Sequence, residues 1–182
     1  MSLNPLELTI LTAKIVLTKT FSKVDDVVKL TSYGDARTFD VHTATIEGID
    51  GLYHLLQTLD KAHQSCIIRA NLKEGHPAQG VRRCLHPKAD MPDPPFEEVD
   101  RAWVCWDLDH LRPPFDTNPA NEEELRHTAF WLREQLPTPW RDTTCVCSWS
   151  SRAFCDVIDD ELVIVPRQAK AHLWFVLDRA VG

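Results

Sequence analysis

The sequence predicts an α+β fold, with a mainly antiparallel sheet and helices packed on one side. Three observations lead there. The first half holds several short runs rich in Ile, Val, Leu and Thr, separated by turn residues. Two segments place apolar residues at helical rather than alternating spacing. After residue 100 the order reads strand, helix, strand, hairpin arm, strand, an order suited to helices segregated on one face of a sheet.

Leu6–Thr20 reads as a strand, followed by strands over Val27–Thr31 and Thr38–Ile46. Ser32-Tyr33-Gly34-Asp35 reads as the turn between the last two. Phe39, Val41 and Thr43 alternate with Asp40, His42 and Ala44, the period of a half-buried strand. Ile49–Gln64 reads as a helix, because Leu52, Leu55, Leu56 and Leu59 form one apolar stripe. Ser65–Ala70 is a short buried strand. Asn71–Asp100 holds five prolines and two glycines and reads as a long surface connection.

Ala102–Asp107 is an apolar strand ending in acids, and Leu111–Ala120 is a proline-rich loop. Asn121–Leu136 reads as a helix with Leu125, Ala129, Leu132 and Leu136 on one face. Glu122, Glu123 and Glu124 suit its positive N-terminus, and Pro137 and Pro139 end it. Thr143–Trp149 is a strand, Val157–Val165 a hairpin arm, and Ala171–Leu177 a strongly apolar strand. The expected division is an N-terminal module over 4–100 and a second part over 101–182, with one continuous domain as the alternative.

The chain has 182 residues, 43% of them hydrophobic, enough for a proper core. It has no apolar run long enough to span a membrane and no charged-then-apolar leader, so a cytoplasmic protein is expected. Six cysteines without Cys-x-x-Cys spacing read as reduced thiols. The net charge of −7 excludes a protein coated in positive charge for nucleic acid. It leaves room for a local basic groove. Cys66–Ala89 carries Arg69, Lys73, Arg82, Arg83 and Lys88 against a single acid, Glu74, while the acids gather at Asp90–Asp100, Asn121–Glu124 and Asp156–Glu161.

The strongest chemical signal is Asp107-Leu108-Asp109. Residues i and i+2 of a strand share a face, so both carboxylates point one way and Leu108 points back into the core. Adjacent carboxylates repel unless a cation neutralises them, and hard oxygen donors suit Mg²⁺ or Mn²⁺. The bland reading is a solvated turn. The buried run Trp103-Val104-Cys105-Trp106 before the acids favours a strand-end site. His172 lies within the apolar strand, where a core histidine is the ordinary reading. Lys170, on the same face if the strand extends that far, with Arg167 and Arg179 flanking, makes an anion contact the sharper one. Ser148, Ser150 and Ser151, with Arg152, close the strand from Thr143 as phosphate-binding candidates or a polar turn. Cys84 and His86, completed by Cys66 or His76, match no standard zinc spacing. The serine-hydrolase elbow, the Gly-rich phosphate loop and the dinucleotide fingerprint are absent.

Taken together, these residues resemble the archaeo-eukaryotic primase superfamily, in particular the primase or primase-polymerase modules of phages, plasmids and integrated elements. Trp103-Val104-Cys105-Trp106-Asp107-Leu108-Asp109 is similar to the family's apolar strand ending in Asp-x-Asp. Lys170-Ala171-His172-Leu173-Trp174-Phe175 is similar to its small-x-His strand, with Lys170 in place of the small residue. Cys145-Val146-Cys147-Ser148-Trp149-Ser150-Ser151 looks like its serine-rich strand. Segments 32–40 and 81–88 look like its N-terminal half. The family's third motif, an apolar residue followed by Asp, comes well after the histidine strand. Here the chain ends at Gly182, and Asp178 still belongs to the histidine strand, so a truncated fragment lacking the third acid is expected.

The resemblance implies an RRM-like catalytic half after a strand-rich N-terminal module. It also implies a DNA-dependent nucleotidyltransferase of a mobile-element replication protein. Asp107 and Asp109 would hold Mg²⁺ or Mn²⁺. His172 would contact the phosphates of an NTP or dNTP, with Lys170, Ser150, Ser151 and Arg152 as further nucleotide contacts. By charge segregation alone, Arg69, Lys73, Arg82, Arg83 and Lys88 are candidates for contacting a single-stranded DNA template. A helicase domain, in the same or a neighbouring chain, is the expected partner. One alternative is a module that binds single-stranded nucleic acid or a partner and is inactive by itself. The other is a haloacid-dehalogenase-like phosphohydrolase. Against the latter, Leu111 stands where that motif has Thr or Val, and about a hundred residues precede the acids.

Overall fold

The computed structural model describes residues 6–24, 27–31, 36–109, 111–159 and 161–181. In chain order the elements are β1 (Leu6–Thr12), β2 (Thr20–Val24), β3 (Val27–Thr31), β4 (Asp40–Ile46), α1 (Gly48–Asp60), β5 (Ser65–Ile68), β6 (Asn71–Leu72) and β7 (Phe96–Glu97). They continue with β8 (Arg101–Leu108), α2 (Glu122–Glu134), α3 (Thr138–Arg141), β9 (Cys145–Trp149), β10 (Cys155–Ile158), β11 (Glu161–Ile164) and β12 (Ala171–Val181). Among the described strands the registers of β1 with β4 and β5, β2 with β3, β6 with β7, β9 with β12, and β10 with β11 are antiparallel. The fold is α+β with mostly antiparallel sheets and few helices. No helix among the described residues is long and apolar enough to cross a membrane.

The chain forms two compact units, each assembled from separated segments: Met1–Thr18, Tyr33–Trp103 and Val176–Gly182 in the first, Lys19–Ser32 and Val104–Phe175 in the second. The first unit is built on a sheet of order β4-β1-β5. Leu6, Leu8 and Leu11 of β1 are buried while Glu7 is exposed. Leu11, Phe39, Ile68, Val81 and Phe96 share one core. Gly48 turns the chain from β4 into α1 at φ 58°, a left-handed conformation that glycine adopts without strain. Three residues on, Gly51 approaches β4 so closely that an added Cβ would lie 3.1 Å from the Ile46 Cβ.

The second unit is built on a sheet of order β8-β12-β9. One face of β12 is apolar: Ala171, Leu173 and Phe175 are all buried, and they pack with Leu108, Leu132, Leu136 and Phe154. The helix α2 supplies Leu132 to that core. Its start is closed by Asn121, whose Oδ1 accepts from the backbone N–H groups of Glu123 and Glu124 at 3.0 and 3.3 Å. The β3 strand lies against the β10–β11 hairpin.

Three departures from the sequence reading have plain causes. Leu6–Thr20 is broken, not one strand. The chain leaves β1 at Thr12, and the Ala13 and Leu17 N–H groups donate to the carbonyls of Gln64 and His63 instead of a strand ladder. Ile15 and Val16 are exposed, so their β propensity is overridden, because that propensity reflects burial on a pleated surface that is not there. Second, Pro137 and Pro139 do more than end α2. They open the short helix α3, where the first turn needs no proline N–H. Trp140 of α3 then meets Phe175 edge-on at 4.9 Å. Third, Val157–Val165 is not a single arm but spans most of a complete hairpin, β10 with β11, whose turn uses Asp159 at φ 50°. The turn expected at Ser32-Tyr33-Gly34-Asp35 lies outside the described residues.

Candidate functional site

Strand alternation sorts the second unit's sheet into two faces. At the end of β8, Leu108 is buried in the core while Asp107 before it, and Asp109 just past the strand, are exposed. On β12, Ala171, Leu173 and Phe175 go to the core, which leaves His172 and Trp174 on the opposite face. On β9, Cys145, Cys147 and Trp149 pack against the core, which leaves Val146 and Ser148 opposite it. The sheet therefore has one oily face under α2 and one face carrying chemistry. Because β12 is the middle strand, His172 stands between the acids of β8 and the serine of β9.

The distances agree with that placement. His172 Nε2 lies 3.6 Å from Asp107 Oδ1, with side chains 37% and 62% exposed. That is too long for a hydrogen bond, and leaves both groups open to a further ligand. Ser148 is the direct cross-strand neighbour of His172. Its Oγ accepts a 3.1 Å hydrogen bond from Trp174 Nε1. The ladder runs one step beyond β12: the Ser150 N–H donates to the Lys170 carbonyl at 2.9 Å, and Lys170 alternates with the buried Ala169 and Ala171. Behind Asp107, the Cys105 thiol is pushed up to about 12, by burial first and by the negative charge of Asp107 second. With no metal bound, such a thiol stays protonated at neutral pH.

The other sequence-predicted nucleotide contacts are tied into the turn after β9. The Ser150 Oγ accepts from the Arg152 N–H at 3.4 Å. Ser151 is exposed. The Arg152 guanidinium donates to Asp156, and the Gln168 side chain braces the turn through the carbonyls of Arg152 and Cys155. The N–H of Val157 and then Arg152 hold the Asp156 carboxyl below the usual carboxylate range. Arg152 is thus committed to an internal carboxylate.

The five basic candidates belong to the first unit. Lys73 pairs with Asp93 at 2.9 Å and Arg82 with Asp90 at 2.7 Å. The acids that look segregated in sequence fold back onto the basic stretch and reduce its free charge. Arg69 donates to the Val181 carbonyl. Arg83 and Lys88 are exposed, and among the described residues form no ion pair. The zinc alternative finds no geometry: the Cys84 thiol donates to the His86 carbonyl at 3.1 Å, and His76 contacts Asp93 at 3.2 Å.

Two hard carboxylate donors on one face suit Mg²⁺ or Mn²⁺, which commonly take one or two protein carboxylates and fill the remaining positions with water and phosphate oxygens. Among the described residues, no group of three or more His, Cys, Asp or Glu side chains converges to hold a metal ion. Trp174 neighbours His172 by alternation in the sequence, but the charge pattern gave this indole no role. Its signal was the period of two that places it beside His172. No family model, no curated protein and no solved structure matches this chain.

Proposed function

We propose that this protein is a divalent-metal-dependent nucleotidyltransferase of primase or primase-polymerase type, acting in the cytoplasm in the replication of a mobile element. The observation that carries the reading is the 3.6 Å approach of His172 to Asp107 on the chemistry-bearing face of the sheet. Residues 65 positions apart come together there, in the order the family resemblance requires. The β8-β12-β9 sheet with α2 behind it is read as the RRM-like catalytic half.

In this reading Asp107 and Asp109 hold Mg²⁺ or Mn²⁺, which when bound supplies charge neutralisation at the triphosphate and activation of the attacking 3′-hydroxyl. His172 donates from Nε2 to a phosphate oxygen. Lys170, just before the start of that strand, places its ammonium on the triphosphate tail. The 3′-oxygen displaces pyrophosphate from the α-phosphorus, and the side chains contribute by placement and by fixed charge. The nucleotide is an NTP or dNTP, the template single-stranded DNA, and a helicase domain the expected partner. Arg83 and Lys88 are the template contacts best supported by charge.

Calorimetric titration of the purified chain with dATP in Mn²⁺ tests the reading. Binding is expected to depend on Mn²⁺, and Asp107→Asn is expected to lose it with an unchanged melting temperature. Absence of Mn²⁺-dependent nucleotide binding by the wild type would overturn the proposal. A second reading, a nucleic-acid- or partner-binding module without catalysis, draws on the lack of a third metal-ligating side chain among the described residues. It predicts affinity for single-stranded DNA that is indifferent to Mn²⁺ and to Asp107→Asn.

A further inference from the structure

The face that carries Asp107 and His172 also carries an indole. Trp174 follows His172 by two residues on the same side of β12, partly exposed, with ring centroids 6.5 Å apart and planes inclined at 57°. The ring is oriented: its Nε1 donates to the Ser148 Oγ at 3.1 Å, and Ser148 is itself the cross-strand neighbour of His172. On the other face Trp140 and Trp149 pack against Phe175 and Phe154. On this face of β12 the side chains run imidazole then indole, at His172 and Trp174, a step of roughly 6.5 Å along the strand, and Lys170 stands just before the strand, its backbone carbonyl accepting from the Ser150 N–H.

We propose that Trp174 is the stacking surface for the nucleobase of the bound nucleotide, with the triphosphate running from His172 toward Lys170. The inference rests on the nucleotidyltransferase reading of the same face and adds the polarity of the nucleotide on it. An indole takes any base on its π face, so the contact confers affinity without a strong sequence preference. The bond to Ser148 limits rotation of the ring and holds its plane before the base arrives, which lowers the ordering cost of binding.

The test uses the whole chain in Mn²⁺ and two ligands, dATP and inorganic tripolyphosphate, which shares the phosphates but has no base. Trp174→Leu is expected to weaken dATP binding by about 5- to 150-fold, and to leave tripolyphosphate binding unchanged. Trp174→Phe keeps a ring and is expected to retain most of the dATP affinity. Tryptophan emission gives an independent reading that does not need the Leu variant to fold: dATP should quench it in the wild type and not in Trp174→Phe, and tripolyphosphate should quench neither. Equal weakening of both ligands by Trp174→Leu, or no weakening of either, would overturn the stacking proposal while leaving the nucleotidyltransferase reading in place. Quenching by dATP that persists in Trp174→Phe would do the same. A wild type that binds neither ligand overturns both.

Discussion

The site exists only if β12 keeps its register, because a slip of one residue would send His172 into the core and Leu173 to the surface. A pair of alanine substitutions measures this directly. Leu173 is fully buried, and its core includes Leu132 of α2, Phe175 and Leu108. Removing a buried leucine costs about 2–5 kcal/mol, and rigid aromatic and strand neighbours limit collapse into the cavity, which places Leu173→Ala at about 3–4 kcal/mol. For a unit of this size that lowers the melting temperature of its transition by about 12–32 °C. His172, with a side chain 37% exposed, loses the 3.6 Å approach to Asp107 and the ring contact with Trp174. Replacing it by alanine is expected to change stability by no more than about 1 kcal/mol. Differential scanning calorimetry of both variants is the assay, and the transition of the second unit is the one that should move. Because the chain forms two units, each transition is followed separately. If His172→Ala destabilises as much as Leu173→Ala, or more, the two faces have been assigned the wrong way round and the site built on them fails.

Two further outcomes follow from local structure. Asn121→Ala removes the acceptor for the Glu123 and Glu124 N–H groups and is expected to cost about 1 kcal/mol in urea unfolding; an unchanged midpoint would mean that the helix start stays closed without the Asn121 side chain, which also bonds Glu124. The Asp156 carboxyl titrates below its ordinary 3.8 in the folded protein, because of the Val157 N–H and then Arg152. A folded pKa below the unfolded one stabilises at pH above the unfolded value, and the stabilisation is lost as the pH falls through the folded value. Asp156→Asn should therefore lower stability near neutral pH and flatten the decline below about pH 4; urea midpoints measured from about pH 7 down to about pH 2.5 would show it, and an acid decline as steep as that of the wild type would rule out Asp156 as its source.

Local pattern carried much of this fold. The stripe of Leu52, Leu55, Leu56 and Leu59 is α1, the acids after Asn121 are the first turn of α2, and the alternation around His172 is β12. Each is decided by neighbours within a few residues, where helical or strand periodicity is the strongest influence. The same locality explains the failures. Propensity favoured a strand at Ile15 and Val16, but whether a β-branched residue finds a surface to pack on depends on chain far away. The two prolines after α2 marked a stop correctly, yet gave no sign of the helix they open.

The divide in the site follows the same physics. By itself, the sequence determined that Asp107 points away from the side taken by Leu108 and that His172 and Trp174 share one side of a strand, since side-chain direction along a strand follows from the period of two. Only the tertiary structure decided which strands are neighbours. That choice puts His172 beside Asp107, sets Ser148 across from it, and hands the Ser148 hydroxyl to Trp174. It also paired Lys73 and Arg82 with acids that follow them in the chain and bound Arg152 to Asp156, reducing the basic surface that the charge pattern promised. Strand order and ion pairing are set by contacts between residues distant in sequence, and no local period encodes them.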